Sequence, residues 1–197
     1  MMVGLDKYIV PIMGQAQVGC GFFVGNLLFT AGHVVEKNDT PLTVWFGERR
    51  FVLDKRNAIK VCCFTEINGE ENCSDFAVFR VDNVDSPLRF AEYKPSFGQE
   101  LLCVTYNTIT AKNISCDTLP IFAYEEKLEK VKTPAIVSEE TCGNYFVCNT
   151  KTVLKEGNSG SPLLDSENRV VGVLCGGTSI PECCIFQYVK LMKDSAI

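Results

Sequence analysis

The sequence predicts an all-β protein in two halves, closed by a short C-terminal helix. Three observations carry this. Apolar, β-branched and aromatic residues recur in short bursts, about four to eight residues each. Turn-forming pairs separate the bursts: Gly25-Asn26, Asn38-Asp39, Asn68-Gly69, Asp165-Ser166 and Glu167-Asn168. One stretch near the midpoint, residues 91–98 (AEYKPSFG), breaks the strand pattern and reads as a linker. Many short strands at near-regular spacing indicate an antiparallel barrel or sandwich.

In chain order, the strand-like runs lie at residues 21–35, 41–53, 75–81, 99–109, 144–150, 161–177 and 184–189. Helical periodicity is weak except over residues 31–37 and 188–194. In the second of these, Val189, Met192 and Tyr188 are expected to face inward. The expected organisation is an N-terminal unit over residues 1–91, a linker over 92–98 and a C-terminal unit over 99–197. Trp45, flanked by Val44 and Phe46, is expected in the first core.

Composition narrows the function classes. With 197 residues and 46% hydrophobic content, the chain can bury a sizeable core and does not read as disordered. No apolar run approaches the ~18 residues that span a bilayer. The opening MMVGLDKYIV lacks the basic-then-apolar pattern of a signal peptide. A net charge of −5 with scattered lysines argues against a nucleic-acid partner, since phosphate binding needs clustered cations. The 11 cysteines are an odd number, so a complete intramolecular disulfide set is excluded, and reduced thiols in a cytoplasmic setting are expected. Zinc sites built on Cys62-Cys63 with Cys73, or on Cys142 with Cys148, lack the CxxC spacing that grips one ion from a tight turn. No metal and no cofactor is expected.

Chemistry is concentrated in three segments: Thr30-Ala31-Gly32-His33-Val34-Val35, Ser74-Asp75-Phe76-Ala77-Val78, and Gly157-Asn158-Ser159-Gly160-Ser161-Pro162. A serine hydroxyl needs an adjacent base to become a nucleophile. The base needs an orienting carboxylate. Glycines around the serine permit a tight turn that exposes its oxygen and lets the Gly157 and Ser159 N–H groups converge on a developing oxyanion. The fifth position of GxSxG is Ser161 and a strand-like run follows Pro162, which argues against an α/β-hydrolase elbow. Taken alone, GNSGSP could be a polar turn, His33 a structural histidine and Asp75 a strand-start cap. His33 is the single histidine, so it is the one imidazole base available.

The order His, Asp, Ser with TAGHVV, SDFAVFRV and GNSGSPLL resembles the chymotrypsin-like serine proteases, and residues 169–177 (RVVGVLCGG) resemble that family's substrate-flanking strand. The resemblance implies two antiparallel six-stranded β-barrels with the active site in the cleft between them. It implies His33 as general base, Asp75 as its orienter, Ser159 as nucleophile, and Gly157 and Ser159 as the oxyanion hole. Val34 and Lys155 stand where disulfide-bonded relatives carry cysteines, and Asn158 replaces the aspartate that receives a new N-terminus on zymogen cleavage. GNSGSP is similar to bacterial glutamyl endopeptidases, HtrA proteases and viral serine main proteases. Polyprotein processing in a host-cell cytoplasm is the expected role, a stand-alone HtrA-like bacterial or organellar protease the alternative. A catalytically inactive binding module of the same fold is the alternative from a different class.

By the same resemblance, Val153, Leu154 and Lys155 form one wall of the specificity pocket, and Leu174, Cys175, Gly176 and Gly177 the other. That wall holds no carboxylate and Leu174 stands where glutamate-reading relatives place a histidine, so a neutral, medium-sized side chain is expected before the scissile bond. An extended polypeptide substrate would pair with the backbone of residues 174–176. Cys175 reads as a small buried residue, with inhibition by thiol reagents as the alternative. The sequons at Asn38, Asn72 and Asn113 read as chance occurrences, and residues 125–130 (EEKLEK) as a solvated loop or hairpin.

Overall fold

The computed structural model describes residues 4–63, 74–113, 123–140 and 143–195. Seven strands build the first sheet: β1 (Ile9–Met13), β2 (Val18–Val24), β3 (Leu27–Thr30), β4 (Leu42–Phe46), β5 (Arg49–Leu53), β6 (Lys60–Cys62) and β7 (Phe76–Arg80). A one-turn helix, α1 (Gly32–Glu36), follows β3. The sheet order is β5-β4-β1-β2-β3-β7-β6. The second half holds β8 (Arg89–Phe90), β9 (Glu100–Asn113), β10 (Ala123–Glu140), β11 (Tyr145–Thr150), β12 (Pro162–Leu164), β13 (Arg169–Gly177), β14 (Cys183–Tyr188) and the helix α2 (Lys190–Ser195).

The second half is a closed barrel. Its order runs β12-β9-β10-β11-β14-β13, and β12 pairs with β13 to complete the ring of six; β8 adds a two-residue parallel ladder at the start of β13. The first half is the other unit of the expected two-barrel architecture. It is a half-barrel of seven strands, with no ladder between β5 and β6 among the described residues. Exposed Arg49 and Arg50 on β5 and exposed Lys60 on β6 suit edges that face water, because charged side chains discourage further strand pairing.

Three apolar clusters organise the molecule. One fills the half-barrel, with Ile12, Phe23, Leu28, Val34, Val44 and Phe79 among its members. Another fills the closed barrel around Phe146, Phe186 and Leu163. The third joins the halves: Ile9, Phe22, Phe29, Phe76 and Val78 from the first meet Val104, Val170, Val173, Val189 and Met192 from the second. Each fully buried phenylalanine contributes about 1.5–3 kcal/mol. Val189 and Met192 face inward as expected, and Tyr188 is buried at the end of β14. Trp45 is a correction: it is 41% exposed, while its neighbour Val44 is fully buried. Strand alternation sends adjacent side chains to opposite faces, and Val44 takes the inner one. On the outer face the Arg50 guanidinium lies 5.7 Å from the indole centroid.

The segment between the halves is tied to the closed barrel. The Ala91 N–H donates to the Val170 carbonyl (2.8 Å), and the Tyr93 hydroxyl donates to Asp165 Oδ2 (2.7 Å). Asp165 also accepts from the Arg169 N–H (2.9 Å), Arg169 Nε (2.9 Å) and the Glu167 N–H (3.0 Å). Burial alone would raise the Asp165 carboxyl, but these donors outweigh it and hold the group below its ordinary value. A depressed folded-state value means a stabilising contribution that is fully present above the unfolded carboxylate value, ~3.9, and is lost as pH falls through the folded one. Asp165→Asn should therefore cost about 1–3 kcal/mol at neutral pH. The cost should shrink toward zero in acid, as read by denaturant melts at pH 7 and below pH 3.

Candidate active site

His33 sits in α1, directly after the small-residue turn that ends β3. Gly32 is required there, since a Cβ on it would lie 1.9 Å from the Cys62 carbonyl oxygen and 3.0 Å from Asp75 Oδ1. Asp75 precedes β7 and is 2% exposed. Both of its carboxylate oxygens serve His33: Oδ1 accepts the backbone N–H (2.8 Å) and Oδ2 lies 2.6 Å from Nδ1. An ionised carboxylate only accepts, so Nδ1 carries the proton and Nε2 is left as the acceptor. That is the tautomer a general base needs.

Ser159 comes from the other half, in the turn between β11 and β12, and lines the same cleft of about 340 Å³ as His33. Three backbone hydrogen bonds to two strands hold the turn. Gly160 N–H donates to the Leu174 carbonyl (2.8 Å) and Leu174 N–H to the Ser161 carbonyl (2.9 Å). Cys20 N–H, on β2 of the first half, donates to the Ser159 carbonyl (2.8 Å). Gly160 has φ +92°, and a Cβ there would lie 2.0 Å from the Cys20 carbonyl oxygen, so the turn abuts the half-barrel with no room for a side chain. Among the described residues the Ser159 hydroxyl makes no hydrogen bond, and it shares the cleft with the His33 imidazole.

Within the turn, Asn158 N–H donates to Lys155 O and Ser161 N–H to Asn158 O, both at 3.1 Å. The N–H groups of Gly157 (φ +98°) and Ser159 have no acceptor among the described residues. Two unspent donors, one on either side of Asn158, suit an anionic oxygen. The buried Asn158 carboxamide anchors the turn: Oδ1 accepts the Lys155 N–H (2.7 Å), and Nδ2 faces Thr105 Oγ1, the Tyr106 carbonyl and Asn107 Oδ1 at 2.9–3.0 Å. Ser161, the residue that departs from GxSxG, spends its hydroxyl on the Asn158 carbonyl (2.5 Å) and Thr105 Oγ1 (2.6 Å).

The cleft wall is partly as expected. Leu154, Lys155, Leu174, Cys175, Gly176 and Gly177 line it, and Cβ atoms added at Gly176 and Gly177 would meet nothing. Val153 does not line it; it is 44% exposed. Both backbone groups of Leu174 are taken by the serine turn, so only residues from Cys175 onward have backbone to offer a substrate. Gln17, Lys37, Glu156 and Cys184 also line the cleft and carried no motif signal. Burial, then the nearby Asp75 charge, push the Cys175 thiol well above its usual value, which makes it a poor nucleophile. Asn38 is buried, with its amide spent on Ala16, Gln17 and Val34, and is closed to a glycan. Cys73, Cys142, Asn72 and part of the Asn113 sequon lie outside the described residues. No cluster of three or more metal-ligating side chains occurs among the described residues.

Gly160→Ala should cost about 2–4 kcal/mol through the forced clash and the positive φ. A Tm loss of roughly 5–15 °C and loss of hydrolysis should appear together in melting and turnover assays.

A family model described as a trypsin-like peptidase domain matches residues 19–173, more than half of the chain. No curated protein matches the sequence. The fold is similar to a Glu endopeptidase solved with MPD (18% identity, TM-score 0.71, 98% of this chain and 90% of that one). It is also similar to the active form of the Rv3671c protease from M. tuberculosis (20%, TM-score 0.68, 97% and 80%). A third is the tobacco etch virus protease complexed with product (15%, TM-score 0.64, 96% and 76%). With the two-barrel architecture and the cleft already described, the matched segment settles the membership: this chain belongs to the trypsin-like peptidase family.

Proposed function

We propose that the chain is a serine endopeptidase working through an acyl-enzyme. The observation that carries this reading is the 2.6 Å contact between His33 Nδ1 and Asp75 Oδ2 in a cleft that His33 shares with Ser159. His33 Nε2 takes the Ser159 proton as the oxygen attacks the scissile carbonyl, and returns it to the leaving amine. Asp75 stays ionised and steadies the imidazolium. The Gly157 and Ser159 N–H groups take the negative charge of the tetrahedral intermediate. Water then repeats the sequence on the ester. Every group in this scheme belongs to the chain, and a binding module has no use for two unspent amides beside a hydroxyl.

The substrate is an extended polypeptide lying along the free edge of β13 from Cys175 to Gly177. The residue before the scissile bond is neutral and of medium size. Leu154, Cys184 and the two glycines make an uncharged recess, while Lys37, Lys155 and Glu156 are exposed at its rim. The biological role is processing of a viral polyprotein in the host cytoplasm. Free thiols at Cys20, Cys103, Cys148, Cys175 and Cys184, with Val34 and Lys155 where disulfide-bonded relatives carry cysteines, support a reducing compartment. Fold similarity to two bacterial-type peptidases favours a stand-alone bacterial protease as the second reading.

A fluorophosphonate probe should label Ser159 in the folded protein; labelling of another serine, or of none, sinks the mechanism. Ser159→Ala should retain its melting temperature and lose turnover, whereas Asp75→Asn should stay folded and lower kcat by up to about 10⁴. Peptide-library cleavage read by mass spectrometry should show neutral residues before the cut; a preference for Lys or Arg there would overturn the pocket assignment.

A further inference from the structure

Gln187 lies on β14 of the closed barrel, 112 positions along the chain from Asp75, and is 2% exposed. Its ladder neighbour Val173 belongs to the apolar cluster between the halves, whereas the adjacent Phe186 points into the barrel core. A carboxamide buried at such a boundary needs partners. It has two, both on the backbone of Asp75. The Asp75 N–H donates to Gln187 Oε1 (3.2 Å), and Gln187 Nε2 donates to the Asp75 carbonyl oxygen. The pairing fixes the orientation of the amide, since a flipped group would set oxygen against oxygen and N–H against N–H.

We infer that Gln187 is a positioning residue for catalysis: it clamps the Asp75 main chain to the barrel that carries Ser159, and so sets the spacing between the His33–Asp75 pair and the nucleophile. This rests on the serine-peptidase reading. His33 touches no group of the closed barrel through a hydrogen bond among the described residues, so its imidazole inherits its place from Asp75. Asp75 in turn is registered on the other half by the Gln187 side chain. The clamp is two-pronged and mimics one peptide-to-peptide pairing, which limits both sliding and rotation of the Asp75 backbone. A misplacement near 1 Å at a reacting pair costs about 100-fold in rate.

The test is a double-mutant cycle between Gln187→Met, which keeps the length and removes both polar atoms, and Asp75→Ala. In the otherwise native enzyme, Gln187→Met should lower kcat by about 10- to 100-fold with KM changed by less than about twofold. In the Asp75→Ala background the same change should leave kcat unaltered, because there is no carboxylate left to misplace, while its cost in Tm persists in both backgrounds. If Gln187→Met lowers kcat by the same factor in both backgrounds, or not at all in the native one, the positioning role is wrong. If Asp75→Ala alone leaves kcat untouched, the triad reading fails and the inference falls with it, a distinct outcome from the first. Should Gln187→Met not fold, Gln187→Asn, polar but one methylene short of Asp75, runs the same cycle against the same expectations.

Discussion

Everything in this molecule depends on the apolar wall where the two halves meet. Phe22, Phe29 and Phe76 on one side and Val104, Val173 and Met192 on the other form a core of their own, not a loose domain contact. His33 and Asp75 come from the half-barrel, Ser159 and the two unspent amides from the closed barrel, and only the packed halves bring His33 and Ser159 to one cleft. Burial supplies the adhesion at this wall but not its register, since apolar contact is non-directional. Register comes from polar links set into its margin, among them Cys20 N–H to the Ser159 carbonyl, Cys20 Sγ near Thr105 Oγ1 (3.6 Å), Lys130 Nζ to the Asp6 carbonyl (3.0 Å) and the Gln187 clamp on Asp75.

The serine turn shows how a short motif is made rigid. Its sequence reads as a polar loop, yet Asn158 and Ser161 are buried and spend their side chains on β9 and on the turn itself. The turn donors left over among the described residues are the Gly157 and Ser159 N–H groups, and of these two residues Ser159 lines the cleft. A buried amide takes the place where zymogen-activated relatives use a carboxylate, and it anchors the turn by hydrogen bonds drawn wholly from residues 105–107 and 155.

What could be read in the sequence was what is local. Strand alternation, turn pairs and the three short motifs are written in neighbouring residues, and they led to the all-β class, the terminal helix and the His33–Asp75 contact. What was not legible depends on long-range placement. A glutamine in CIFQYV carries no periodic signal that it will meet residue 75. Trp45 looked like core because its neighbours are apolar, but alternation gave the inner face to Val44. Val153 shares the apolar character of its neighbour Leu154, but it is exposed and outside the cleft lining, which only the tertiary placement decides. The role of Gly160 was half visible: the turn explains a glycine, and the carbonyl of Cys20 pressed against it explains why only a glycine serves.

That contact between Gly160 and β2 has a temporal side. A ribosome makes the half-barrel first, so the surface that receives the serine turn exists before the turn is synthesised. The strand bearing Gln187 and the helix bearing Met192 come later still. A growing chain therefore carries His33, Asp75 and then Ser159 before the two halves can bring them into one region. The wall between the halves is complete only once residues 187–192 have been made, so the cleft takes its final shape with the last part of the two-part scaffold.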